Sequence, residues 1–111
     1  MPKKNRRKPL KIGIVGCGAI GSSLACEIVL NLRKDANLVA LFDINPAKSL
    51  MLSQKLIKNK KLCAGSLDIL IKKSDLVIEA SSSRAAWKIT RKSLCAGCSI
   101  MVMSVGGLVN H

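Results

Sequence analysis

Gly16, Gly18 and Gly21 are the residues of this 111-residue chain whose spacing points most directly to chemistry. They lie in Lys11-Ile12-Gly13-Ile14-Val15-Gly16-Cys17-Gly18-Ala19-Ile20-Gly21, a short apolar run that breaks at a turn and opens into a helical pattern. In such a unit the first glycine permits the tight turn, the second lets backbone approach a diphosphate, and the third packs helix closely on strand. The helix that follows aims its N–H groups and positive dipole end at the same anion. A second apolar run, Leu38-Val39-Ala40-Leu41-Phe42, ends in Asp43. That is roughly 20 residues past the last glycine, where an acid that grips a ribose belongs. Glycine turns recur by chance, so the glycines alone are weak evidence. The strand before them, the helix after them and Asp43 supply the context that a dinucleotide site requires.

The elements that must hold this turn follow in alternation. A strand is expected over about 11–15, a helix over about 19–33 with Ile20, Leu24, Ile28 and Leu32 on one face, and a strand over about 37–43. Asn45 is a suitable N-cap ahead of Pro46 for a helix to about Asn59, with Leu50, Leu52, Leu56 and Ile57 as its apolar surface. Leu62-Cys63-Ala64 suits a short third strand, and Ser66 can cap a short helix through Ile71 that ends on Lys72 and Lys73. Asp75 to Ala80 reads as a fourth, buried strand. After the turn Ser81-Ser82-Ser83, a helix is expected from Arg84 to about Leu94. A fifth strand over 99–103 leads to a turn at 104–107. Strands and helices alternating on this spacing imply an α/β fold, a doubly wound Rossmann-type parallel sheet of about five strands. Right-handed crossovers then bring every carboxyl strand end to one edge, where ligands bind. The expected organisation is a basic disordered leader over 1–10 and one domain over 11–111.

Composition narrows the class. Apolar residues make up 49% of the chain with one Phe, one Trp and no Tyr, so the core is aliphatic, as in parallel strands covered by helices. No apolar run reaches the roughly 18 residues that cross a bilayer, and no signal peptide is legible, so a cytoplasmic protein is expected. Lys plus Arg number 19 against 6 Asp plus Glu, a net +13, and six of those cations fall in the first eleven residues. Such an arm suits nucleic acid or an acidic membrane surface. It has no aromatic residue for base stacking and no reading module, so a solvated leader is the stronger expectation. The five cysteines are an odd set and are expected as reduced thiols. Cys17 and Cys26 suit small apolar packing. Cys95 and Cys98 have the spacing of a redox or half-zinc pair, but zinc needs two more ligands, and a structural accident is favoured.

With these segments laid out, the chain resembles the N-terminal half of L-aspartate dehydrogenases, with related domains in homoserine dehydrogenases. The resemblance rests on residues 11–22, Phe-Asp-Ile-Asn-Pro at 42–46, Asp-Leu-Val-Ile-Glu-Ala-Ser at 75–81 and Met-Val-Met-Ser-Val-Gly-Gly-Leu at 101–108. It covers nearly everything except the leader. It implies oxidation of L-aspartate to iminoaspartate with NAD, or with NADP, a step that can feed NAD biosynthesis. It implies Gly16, Gly18, Ala19, Ile20 and Gly21 around the pyrophosphate and Asp43 at the adenosine ribose. Ala80, Ser81, Ser104, Val105 and Gly106 are implied on the nicotinamide side. Gly107 stands where the family usually has Ala.

The resemblance also implies a second α+β domain, with a catalytic His and oligomer contacts, beyond His111. The expectation is therefore a fragment or truncated form that binds cofactor without catalysing alone, so no catalytic residue is assigned. The only His is the terminal residue. Arg84 could approach the cleft, though solvation at a helix start suits it better. Two further readings stay open: a stand-alone nucleotide-binding or regulatory module that assembles with itself or a partner, and a basic nucleic-acid binder.

Overall fold

In the computed structural model, which describes residues 8–57 and 61–104, strands and helices alternate along the chain. β1 (Leu10–Val15) leads through the glycine turn into α1 (Ala19–Asn31), and β2 (Ala36–Phe42) leads into α2 (Pro46–Leu56). α3 (Leu67–Lys73) precedes β3 (Leu76–Glu79), and α4 (Ser83–Cys95) precedes β4 (Ser99–Val102). All strand pairs are parallel, in the spatial order β2-β1-β3-β4.

Among the described residues the sheet has four strands rather than about five. The segment expected as a third strand makes one bridge, Cys63 to Leu41, fixed by Leu41 N–H to Leu62 O and Ala64 N–H to Leu41 O, both 2.8 Å. Ser66 already caps α3 through the Ile69 N–H at 3.2 Å, which leaves too few residues to extend the pairing. Counting the bridge as a rudimentary strand outside β2 gives the order of a doubly wound nucleotide-binding sheet, with β1 at its centre.

Local signals set the helix boundaries. Asn45 caps α2 through the Ala47 N–H at 3.1 Å, and Pro46 occupies the first turn, where its missing N–H costs nothing. α4 ends on Gly97 at φ +80°, with Gly97 N–H bonded to Leu94 O and Cys98 N–H to Ser93 O, a Schellman closure. β1 begins at Leu10, inside the span expected as leader, while the rest of that span up to residue 7 lies outside the described residues, as do 58–60 at the end expected for α2.

The sheet divides the core in two. Ile12, Ile14, Leu38 and Ile78 join Ala25, Ile28 and Leu52 on the α1–α2 side. Val15, Ala40 and Val77 join Leu70, Ile71 and Ile89 on the α3–α4 side. The buried face of α1 is Gly21, Ala25 and Ile28, not the stripe through Ile20, Leu24, Ile28 and Leu32. Ile20 is 55% exposed and Leu32 40% exposed, because close seating of α1 on β1 requires small residues at the contact. Leu50 of α2 is exposed for a similar reason: Ser49, Leu52 and Ser53 supply that helix's buried face.

Candidate functional site

The glycine turn sits where β1 ends, between the carboxyl ends of β2 and β3. Gly16 has φ +102°, and a Cβ there would lie 2.5 Å from Ala80 O and 2.7 Å from Ser81 N. A side chain is therefore excluded twice, by backbone conformation and by space. Gly21 is buried against the Gly16 carbonyl, so its role is to let helix meet turn. Gly18 differs from both: nothing lies within 4 Å of where its Cβ would be, and it is exposed together with Ala19 and Ile20. No side chain caps α1 at Gly18 and no acidic residue occupies its first turn. The start of α1 is thus an open, uncapped cluster of backbone donors that suits a diphosphate.

Asp43 is wired into this turn. One carboxylate oxygen accepts the Cys17 N–H at 2.7 Å and the other accepts the Asn45 N–H at 2.8 Å. Gly16 N–H also bonds to Phe42 O at 2.8 Å, so the end of β2 and the glycine turn move as a unit. Each carboxylate oxygen keeps acceptor capacity after one such bond, enough to take ribose hydroxyls. Cys17, between the two, has its thiol pushed up to about 12 by burial first and then by the Asp43 carboxylate and Cys63, against Lys48. It is an inert packing group.

A cleft of about 550 Å³ runs from this turn across the carboxyl ends of the strands. Gly16, Gly18, Asp43, Ile44, Ala80 and Ser81 are among its lining residues, with Lys48 and Lys88 as its cations. A larger groove of about 860 Å³ opens between α3 and α4. It lies near Asp75 and Cys98, at the amino ends of β3 and β4, away from the glycine turn. The ligand-binding edge of a parallel sheet is the carboxyl one, which makes the smaller cleft the relevant one.

On the far side of the turn, fully buried Glu79 ends β3. Its carboxyl accepts the Ser81 N–H at 2.9 Å and the Ser81 hydroxyl at 2.7 Å on one oxygen, and the Ser104 N–H at 3.1 Å on the other. The Ser104 hydroxyl in turn donates to Ser81 O at 2.5 Å. The chain thus brings Gly16, Gly18, Asp43, Ala80 and Ser81 to one cleft, with Ser104 fastened to its edge. Val105 and Gly106 lie outside the described residues. Arg84 is exposed at the start of α4 and does not line the cleft.

The family model described as homoserine dehydrogenase, NAD binding domain, matches residues 16–111. The chain belongs to this family. NAD is accordingly the cofactor class of the domain. The chain is 41% identical over 102 residues to L-aspartate dehydrogenase of Methanocaldococcus jannaschii, covering 91% of this chain and 37% of that protein. The corresponding enzyme of Methanosarcina mazei is 41% identical over 101 residues, with 36% of its length covered. The chain therefore spans little more than a third of these relatives. Among solved structures, apo scyllo-inositol dehydrogenase from Lactobacillus casei superposes with a TM-score of 0.75 at 26% identity, over 86% of this chain and 28% of that one. GenD2 from gentamicin A biosynthesis, solved in complex with NAD, shares the fold at 18% identity with a TM-score of 0.71, over 92% of this chain and 29% of that one.

Two residues of this NAD-binding domain have roles that the sequence alone does not signal. Glu79 resembled one more residue of a buried strand, and only an acid in an otherwise apolar run signalled its burial. Gly13 precedes the turn, and nothing in its sequence neighbours signals a packing role. A Cβ there would collide with the Ser74 hydroxyl and come within 2.7 Å of Leu70 Cδ2, so it lets α3 rest on β1. The Cys95–Cys98 pair straddles the end of α4: Cys95 is exposed, while the Cys98 thiol donates to Ser74 O at 3.0 Å and Ile71 O at 3.3 Å. Burial, with Asp75 adding to it, raises the Cys98 thiol. Among the described residues no cluster of His, Cys, Asp or Glu is arranged to hold a metal.

Proposed function

We propose that this chain is the cofactor-binding part of an L-aspartate dehydrogenase-like oxidoreductase, converting L-aspartate to iminoaspartate with NAD. The observation that carries the proposal is the bond from the Cys17 N–H to the Asp43 carboxylate at 2.7 Å. It makes the phosphate-binding turn and the ribose-binding acid one preorganised unit. On this reading the backbone at Gly16, Gly18, Ala19 and Ile20 holds the diphosphate, and Gly21 seats the helix that presents it. Asp43 accepts the adenosine ribose hydroxyls. Ala80, Ser81 and Ser104, followed by Val105 and Gly106, border the nicotinamide.

When bound, the nicotinamide supplies the acceptor for the hydride that leaves the substrate's amine carbon. The residues in the described cleft bind and orient; none is assigned as the base. The relatives' greater length is where the reading puts substrate recognition, proton transfer and oligomer contacts. A cytoplasmic location suits five free thiols, and among the described residues no helix is long and apolar enough to cross a membrane.

Asp43 favours NAD, since a carboxylate accepts a 2′-hydroxyl and repels a 2′-phosphate. Lys48 in the cleft moderates that repulsion, so NADP is the weaker alternative. Fluorescence titration of the purified chain with NADH and NADPH tests this. Saturable binding with NADH the tighter ligand is expected, and saturation by neither overturns the assignment.

A further inference from the structure

We propose that Glu79 is the positioning residue of the nicotinamide half of the cleft, its buried carboxyl latching the loop after β3 to the end of β4. The inference rests on the cofactor reading above and adds a residue to it. The backbone pairing of β3 with β4 runs from Leu76–Ser99 to Glu79–Val102 and closes with Met103 N–H to Glu79 O at 2.8 Å. Beyond that point the two chains would part. The Glu79 side chain takes over where the ladder stops, collecting the Ser81 N–H, the Ser81 hydroxyl and the Ser104 N–H on its two oxygens. Ser81 O then accepts the Ser104 hydroxyl, which closes a ring of bonds linking the two loops.

Stability alone is a poor reason for a carboxyl here. Replacing a buried charged group by well-packed apolar residues is often neutral or stabilising, and the ladder already joins the strands. What the carboxyl adds is a fixed position for two loops. Ser81 N also abuts Gly16, whose absent Cβ would lie 2.7 Å from it. Asp43 thus holds the glycine turn directly through the Cys17 N–H, while the Glu79 carboxyl fixes the Ser81 backbone that packs against Gly16 on the β3 side. Asp43 lines the cleft itself, whereas Glu79 lies buried behind Ser81, which lines it.

The division of labour is testable with two ligands that differ only by the nicotinamide ring. In Glu79→Gln, an amide oxygen turned to Ser81 leaves an NH2 group facing the Ser104 N–H, so one latch bond becomes a donor–donor contact. Loss of one buried hydrogen bond then weakens NADH by about tenfold, with ADP-ribose changed by less than about twofold. The fluorescence enhancement of bound NADH falls as well. Asp43→Ala weakens both ligands together, which serves as the internal control. Equal losses of NADH and ADP-ribose in Glu79→Gln, or no loss of either, overturn the proposal. If circular dichroism shows Glu79→Gln unfolded, Glu79→Asp, which keeps the acid but shortens its reach to the Ser81 and Ser104 N–H groups, must show the same selective loss. A wild-type chain that binds neither ligand overturns the cofactor reading and this assignment with it, whereas intact binding without selectivity overturns this assignment alone.

Discussion

At the residue scale, Cys17 shows how the same chemistry that prepares the turn silences its own nucleophile. The thiol lies inside the glycine turn at the start of α1, and a helix start is a setting that ordinarily lowers a cysteine's pKa. Burial and the neighbouring Asp43 carboxylate reverse this and push the thiol up to about 12 from an ordinary 9.0. The folded chain should therefore leave Cys17 unmodified by iodoacetamide at pH 8 while exposed Cys95 reacts, as peptide mass mapping would read. Rapid alkylation of native Cys17 would contradict the burial seen here. The sign of the pH dependence follows. An acid whose folded value is raised contributes stability that is complete below the unfolded value and is lost as pH rises through the folded one. Thermal melts of the wild type should therefore fall between about pH 9 and pH 12 more steeply than those of Cys17→Ala. Parallel profiles would remove Cys17 as the cause.

At the element scale, glycines that look alike in sequence separate into packing and binding roles. Gly13 meets Leu70 and Ser74 of the α3 layer, whereas Gly18 meets nothing within 4 Å. Gly13→Ala should lower stability by about 1–3 kcal/mol through overpacking, with cofactor affinity retained in the folded fraction. Gly18→Ala, at a backbone of φ −83° that alanine tolerates, should do the reverse: an unchanged melting profile and weakened NADH. Urea unfolding and NADH titration of both variants read the contrast; a Gly18→Ala protein that binds normally would remove the diphosphate from that spot. The difference also marks what sequence can carry. The caps at Asn45 and Ser66, the glycine turn and Asp43 are local or fixed-offset signals, and they are where the sequence places them. The missing third strand, the Gly21–Ala25–Ile28 face of α1 and the latch at Glu79 depend on what each segment packs against. Hydrophobic periodicity reports which residues are apolar; it does not report how closely two backbones approach.

At the scale of the whole molecule, the cleft is lined from both sides of the sheet. Leu67, Ala85 and Ile89 line it from the α3–α4 layer, Ile44 from the β2–α2 connection and Lys48 from the first turn of α2. A ligand that touches both layers binds the folded state alone and so adds its binding free energy to stability. At NADH concentrations a hundredfold above Kd that term is about 2.7 kcal/mol. For a domain of about 100 residues it corresponds to a rise in Tm of roughly 10–20 °C. The net charge of +13 supplies a competing explanation, because any polyanion gathers on such a surface and can raise Tm without a site. Salt separates the two. Long-range attraction is largely screened once the Debye length falls well below about 10 Å, above 0.1 M salt. On the proposed reading, a dinucleotide accepts from backbone N–H groups at the start of α1 and donates its ribose hydroxyls to Asp43, contacts of short range that salt affects much less. Differential scanning fluorimetry in rising salt should therefore show tripolyphosphate losing its stabilising effect while NADH keeps most of its own. If the two ligands fade together, the basic surface rather than the glycine turn is what holds the dinucleotide.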